Sequence, residues 1–232
     1  MQVIPSINAA DFEEAKNLIL QAEKFSDWIH IDVGDGIWTP NQTWNSPSEF
    51  QEIRNPKSEI RNLKTEIHLM IESPDIVVLP WLETGAKRII VHVESVEDPE
   101  SLIELCEEFD AELGLAISPE TKVEELNVYF NPSPLKDYKE SSTSNPSRVR
   151  GKVKFYQVLA VTPGLAGQKF NQSVLKKIEF LRAAVPDAII EVDGGINPET
   201  ARMVKKAGAD IIVSASYIWN SDDPKKAYYE LT

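Results

Sequence analysis

The stretch Asn197-Pro198-Glu199-Thr200-Ala201-Arg202-Met203-Val204-Lys205-Lys206-Ala207-Gly208-Ala209-Asp210-Ile211-Ile212-Val213 decides the fold. It opens on an N-cap residue followed by Pro and an acid, which starts a helix. Gly208 closes that helix, and two residues later the chain enters a β-branched run at 210–213. A helix feeding straight into a strand is half of a βα unit, and the same punctuation recurs outward along the chain. Asp11 precedes Phe12-Glu13-Glu14, Asp98 precedes Pro99-Glu100, and Glu83-Thr84-Gly85-Ala86 ends just ahead of Arg88. Short β-branched runs stand at 3–7, 28–33, 66–70, 88–93, 112–117, 153–161, 188–192 and 210–213, with amphipathic segments between them. Eight such runs in 232 residues predict an α/β fold of the (β/α)8 TIM barrel type, a single domain over 1–232. An open doubly wound sheet is disfavoured because no Gly-x-Gly-x-x-Gly follows the first run. Residues 131–150 break the rhythm with Pro, Ser, Lys and Asn, and are expected to form a polar surface insertion.

Composition narrows the partners. With 24 Lys+Arg against 37 Asp+Glu the formal net charge is −13, which argues against nucleic acid, whose backbone is bound mainly by Lys and Arg. At 42% hydrophobic and 26% charged the chain can bury a core. No run approaches the roughly 18 apolar residues of a membrane span, and Met1-Gln2-Val3-Ile4-Pro5 has no basic region ahead of an apolar one. A cytoplasmic protein with no membrane partner is the expectation. Cys106 has no second cysteine to pair with, and its neighbours Leu102, Leu105 and Phe109 recur at helical spacing, so it is read as a packing residue.

Residues two apart on a strand share a face. Four runs place polar pairs at that spacing: His30/Asp32, Glu66/His68, His92/Glu94 and Glu191/Asp193. Inside a barrel such groups are costly unless they are paired, hydrogen-bonded or bound to metal, and they lie toward the strand ends where barrels keep their chemistry. Imidazole with carboxylate suits a divalent transition ion, Zn²⁺ or a similar one, better than a hard oxygen-seeking cation. His30, Asp32, His68 and Asp193 are the nominated ligands. His92 and Glu94 are read as supports, and Glu66 and Glu191 as deeper groups able to serve in the same way. Glycines give a second feature: Thr162-Pro163-Gly164-Leu165-Ala166-Gly167-Gln168 follows the sixth run, and Asp193-Gly194-Gly195-Ile196-Asn197 follows the seventh ahead of a helix. With Ser214-Ala215-Ser216 after the eighth, Gly164, Gly167, Gln168, Gly194, Gly195, Ala215 and Ser216 are candidate phosphate contacts, because glycine lets amides approach an anion and a helix start favours it.

The stretches Ile4-Pro5-Ser6, His30-Ile31-Asp32-Val33-Gly34-Asp35-Gly36, Pro40-Asn41, His68-Leu69-Met70, His92-Val93-Glu94, Pro163-Gly164 with Gly167-Gln168-Lys169-Phe170, and Val192-Asp193-Gly194-Gly195-Ile196-Asn197 resemble the ribulose-phosphate 3-epimerase family, in that family's order and over nearly the whole chain. The resemblance implies a metal-dependent barrel of the ribulose-phosphate-binding type that interconverts D-ribulose 5-phosphate and D-xylulose 5-phosphate. The family's ligand pattern falls on His30, Asp32, His68 and Asp193, and its acid/base pair on Asp32 and Asp193. Ser6 matches a serine near the substrate, Met70 a methionine lining the site, and His68 is counted with the substrate contacts. The implied cofactor is one divalent ion, Zn, Fe, Mn or Co. Where the family has methionines, this chain has Gly34 and Leu159; its Gly-Phe-Gly-Gly loop is Gly164-Leu165-Ala166-Gly167, and its Gly-Ser pair is Ala215-Ser216.

Three other functions compete. A 3-epimerase of a longer ketose phosphate, such as allulose 6-phosphate, needs only a reshaped phosphate end. A lyase or decarboxylase barrel would need a Lys beside its strand-end Asp, which His30-Ile31-Asp32 lacks. A non-catalytic sugar-phosphate-binding barrel has no reason to keep a buried ligand cluster. A homo-oligomer is expected from the frequency of symmetric assemblies.

Overall fold

The computed structural model describes residues 1–54, 63–130, 149, 151–164 and 167–232. Eight parallel strands, β1 (Gln2–Ile7), β2 (Trp28–Gly34), β3 (Lys64–Met70), β4 (Arg88–His92), β5 (Glu112–Ile117), β6 (Phe155–Leu159), β7 (Ile189–Asp193) and β8 (Ile211–Ser214), pair in chain order, and β1 pairs β8 to close the barrel. Around them run α1 (Phe12–Ala22), α2 (Pro47–Ile53), α3 (Val78–Glu83), α4 (Pro99–Glu108), α5 (Leu175–Ala184), α6 (Pro198–Ala207), α7 (Ser216–Trp219) and α8 (Pro224–Leu231). After β5 a 3-10 helix, Val123–Tyr129, takes the helical position.

The helix boundaries follow the local chemistry. Asp11 accepts from the Glu14 amide, Asp98 from the Ser101 amide, and Asn197 forms a capping box with Thr200. Gly208 ends α6 at φ 115°, a left-handed conformation glycine takes without steric cost. The sixth run is shorter than expected: β6 stops at Leu159 rather than continuing to 161. Beyond it the Asn171 amide bonds the Ala160 carbonyl at 2.8 Å, so the returning loop occupies the ladder position a longer strand would need. The 131–150 insertion lies outside the described residues except for Val149, which is buried.

Strand alternation splits the interior. On β2, Ile29, Ile31 and Val33 join the large apolar core shared with the helices, while His30 and Asp32 turn into the barrel. A second, smaller cluster of Ile4, Ile90, Ala116, Phe155, Leu159, Ile211 and Val213 fills the rest of the lumen. Cross-strand register sets His30 beside Glu66, Glu66 beside Arg88, and Asp32 beside His68. Among the described residues no helix is long and apolar enough to cross a membrane.

Candidate metal and catalytic site

Pairs of inward-facing side chains from β2, β3 and β7 meet around Asp32. His30 Nε2 lies 3.2 Å and His68 Nδ1 3.0 Å from Asp32 Oδ1, and His68 Nδ1 lies 3.9 Å from Asp193 Oδ2. One donor atom from each of His30, Asp32, His68 and Asp193 falls within 4.8 Å of the others. Donors held tetrahedrally at ~2.1 Å from one ion stand about 3.4 Å apart, and the observed separations bracket that spacing. The remaining ring nitrogens are engaged elsewhere: His30 Nδ1 meets Glu66 Oε1 at 2.7 Å, and His68 Nε2 meets His92 Nε2 at 2.9 Å. Oriented imidazoles of this kind fit a divalent cation.

The electrostatics divide the two aspartates. Burial alone would raise Asp32, but hydrogen bonds and charge from His30 and His68 outweigh it and hold the carboxyl well below the usual range. Burial, and then the neighbouring charge of Asp32, push Asp193 up to about 7. Burial opposes a charged His30, yet its bonds to Asp32 and Glu66 raise it well above an ordinary imidazole. His68 is pushed down to about 4, chiefly by burial and, against the Asp32 hydrogen bond, by the charges of His92 and His30. Deeper in the barrel Arg88 pairs with Glu66 through Nη1 and with Glu112 at 2.9 Å, so the carboxylate behind His30 has its own cation. Glu191 lies 3.9 Å from His30 Nδ1 and accepts from Gln157 at 3.0 Å.

The other oxygen of Asp32 faces uncharged donors. Ser6 Oγ donates to Oδ2 at 2.7 Å and Asn8 Nδ2 at 3.2 Å. Above this floor opens a cavity lined by Ser6, Asn8, Asp32, Met70, Leu159, Val161, Pro163, Gly164, Gly167, Gln168, Asp193, Gly194, Gly195, Ile196, Val213, Ser214, Ala215 and Ser216. Three glycines on its wall are required by contact as well as by φ, among them Gly195 (φ 66°), whose Cβ would sit 2.6 Å from the Phe170 amide nitrogen. A Cβ on Gly194 (φ 102°) would sit 2.4 Å from Val161 Cγ2, and one on Gly164 (φ 97°) 2.7 Å from Thr39 Cβ. Gly34 has a different cause: a Cβ there would meet the Asn41 carbonyl oxygen at 2.6 Å, so the loop after β2 folds its backbone against the strand where a side chain would stand.

All four nominated ligands are brought together, and Ser6, Met70, Gly164, Gly167, Gln168, Gly194, Gly195, Ala215 and Ser216 reach one cavity. His68 lies beneath the floor, fully buried, and is not on the cavity wall. The start of α6 is already used: Asn197 Oδ1 accepts from the Glu199 and Thr200 amides, which leaves the glycine loops as the amide source. Sequence reasoning passed over Asn8, although it stands two residues beyond Ser6 and shares its face. Ala166 of the glycine loop and Leu165 lie outside the described residues.

A sequence model of the Ribulose-phosphate 3 epimerase family matches residues 2–132 and 140–219. The chain is 34% identical over 237 residues to a ribulose-phosphate 3-epimerase of Bacillus subtilis (strain 168), covering all of this chain and 98% of that one. It is 36% identical over 230 residues to the enzyme of the same name from Chlamydia trachomatis, covering 95% of this chain and 87% of the relative. In fold it is similar to 3-hexulose-6-phosphate synthase from Salmonella typhimurium, with a TM-score of 0.70 at 14% identity over all of this chain and 96% of that one.

Proposed function

Because the chain belongs to the ribulose-phosphate 3-epimerase family, we propose that it inverts C3 of D-ribulose 5-phosphate to give D-xylulose 5-phosphate, with Asp32 and Asp193 as base and acid. The observation that carries this reading is the pair itself: aspartates from two strands, β2 and β7, reach one cavity beside the imidazoles of His30 and His68. Epimerisation beside a ketone removes a weakly acidic C–H proton from one face and returns a proton to the other, so it needs one carboxyl ionised and one protonated at the start. Asp32 takes the C3 proton, the electron pair moves onto the carbonyl oxygen as an enediolate forms, and Asp193 delivers its proton to the opposite face. His30, Asp32, His68 and Asp193 would hold a divalent cation, Zn, Fe, Mn or Co, which would supply Lewis-acid stabilisation for negative charge on the sugar oxygens. Ser6 holds Asp32, Met70 walls the apolar side, and the amides around Gly164, Gly167, Gln168, Gly194, Gly195, Ala215 and Ser216 receive the phosphate. In a chain of charge −13, those amides and the cation provide the local positive field an anionic substrate needs.

The same reading takes 1–232 as one barrel domain, cytoplasmic and homo-oligomeric, the last checked by light scattering. The central test is solvent-deuterium incorporation at C3 of ribulose 5-phosphate. Wild type exchanges, while Asp32→Asn and Asp193→Asn each lose on the order of 10²-fold or more, the usual contribution of a positioned acid or base. Full activity in both variants would overturn the assignment.

A further inference from the structure

Asp32 divides its two oxygens between different neighbours. Oδ1 faces the imidazoles of His30 and His68, while Oδ2 receives Ser6 Oγ at 2.7 Å and Asn8 Nδ2 at 3.2 Å. We propose that Asn8 is a positioning residue for the epimerisation: together with Ser6 it aims Asp32 Oδ2 into the cavity, so that this oxygen is the one that takes the C3 proton. The inference rests on the reading of Asp32 as the base.

Three observations support it. Ser6 and Asn8 leave the end of β1 two residues apart and on one face; Ser6 is buried, whereas Asn8 lies at the lip and lines the cavity. The backbone on either side of Asn8 is pinned, because Trp219 Nε1 donates to the Ser6 carbonyl at 2.6 Å and the Trp44 amide to the Ala9 carbonyl at 2.8 Å. An ionised carboxylate oxygen only accepts, so the amide must present its NH2 to Oδ2.

The chemistry of the two donors suits an oxygen that changes protonation. Both are uncharged, so neither adds a buried charge beside the base. When the proton reaches Oδ2, hydroxyl and amide can each turn to accept from the new O–H, so Oδ2 keeps partners on both sides of the transfer. A base misplaced by about 1 Å costs up to about 10²-fold in rate, which makes a fixed carboxylate plane worth two hydrogen bonds.

The experiment compares metal-loaded wild type with Asn8→Leu, which keeps nearly the same volume and removes the amide, and with Asn8→Ala in case the leucine disturbs folding. The expected result is a fall of about tenfold in kcat for one lost hydrogen bond, with KM, metal content and melting temperature essentially unchanged. In a Ser6→Ala background the Asn8→Leu effect changes size, because both donors serve one oxygen and their losses do not multiply. The inference is overturned if kcat of both Asn8 variants stays at wild type, if the whole loss sits in KM, if metal content falls in step with activity, or if the two losses multiply. Asp32→Asn separates this from its premise: an active Asp32→Asn removes the acid–base reading itself, whereas an inactive Asp32→Asn beside wild-type Asn8 variants removes only the role of Asn8.

Discussion

His68 Nε2 stands 2.9 Å from His92 Nε2, so one imidazole must donate and the other accept. The direction is set from the far side: His92 Nδ1 meets Glu94 Oε2 at 3.1 Å, and Glu94 is held down to about 2 against burial by its bonds to His92, Thr121 and the Ser118 amide. A carboxylate can only accept, so His92 carries a hydrogen on Nδ1, and when its ring is neutral its Nε2 receives the one on His68 Nε2. His68 Nδ1, 3.0 Å from Asp32 and 3.9 Å from Asp193, would then turn its lone pair to a cation in place of the hydrogen bond it shares with Asp32, the form a metal ligand requires. Lys177 secures the end of this chain by donating to the Ser118 and Pro119 carbonyls at 2.8 and 2.7 Å and to that of Thr121.

Glu94→Leu therefore frees the tautomer of His92 and, through it, of His68. Metal affinity is expected to drop by about 10- to 100-fold, the usual cost of losing an outer partner of a ligand. Chelator competition measures it directly, and an unchanged dissociation constant would show that the His92–Glu94 pair is merely packed there.

Removal of divalent cations should abolish turnover, and adding back about one ion per chain should restore it. Because the four donors are gathered only in the folded chain, an ion bound there should also stabilise it, by roughly 4 kcal/mol at an ion concentration about a thousandfold above its dissociation constant. Thermal melts with and without chelator check this; identical curves would mean that no ion sits at the cluster.

Arg88 keeps only 6% of its side chain exposed and is the cation facing Glu66, whose carboxyl it and His30 hold down against burial. Arg88→Met leaves that charge buried behind His30 and should cost about 3–5 kcal/mol in urea unfolding. Adding Glu66→Gln should recover much of the loss, since a neutral amide needs no counter-ion; a double variant as unstable as the sum of its parts would refute the pairing argument.

Cys106 is buried on α4, and burial followed by the charge of Glu107 pushes its thiol up to about 12. At pH 8 that leaves roughly one thiolate in ten thousand, so the folded protein should not react with a thiol reagent on the minute scale and should react at once in urea. Rapid labelling of the native protein would contradict the packing reading.

Helix caps and β-branched runs were legible in the linear order because they are local: Asn197 caps α6 within three residues, Gly208 ends it, and Ile29, Ile31 and Val33 alternate with His30 and Asp32. Period two also showed which polar residues share a face, and that was enough to nominate His30, Asp32, His68 and Asp193. Asn8 escaped notice because it stands past the end of β1 as a single polar residue, and only the approach of β2 gives it a partner. The end of β6 was misjudged because the segment around Asn171 returns to take the Ala160 carbonyl, a contact no window on 153–161 contains.

Linear order was enough for the alternation of helix and strand and for the inward set of ionisable groups, since each depends on spacing within a few residues. Tertiary structure alone decided which oxygen of Asp32 faces the imidazoles and which faces Ser6 and Asn8, which nitrogen of His68 is left to bind, and why Asp32 and Asp193 differ in proton affinity. The physical reason is that hydrogen bonding and charge act over a few ångströms in space, and barrel closure brings within that range residues that lie far apart along the chain.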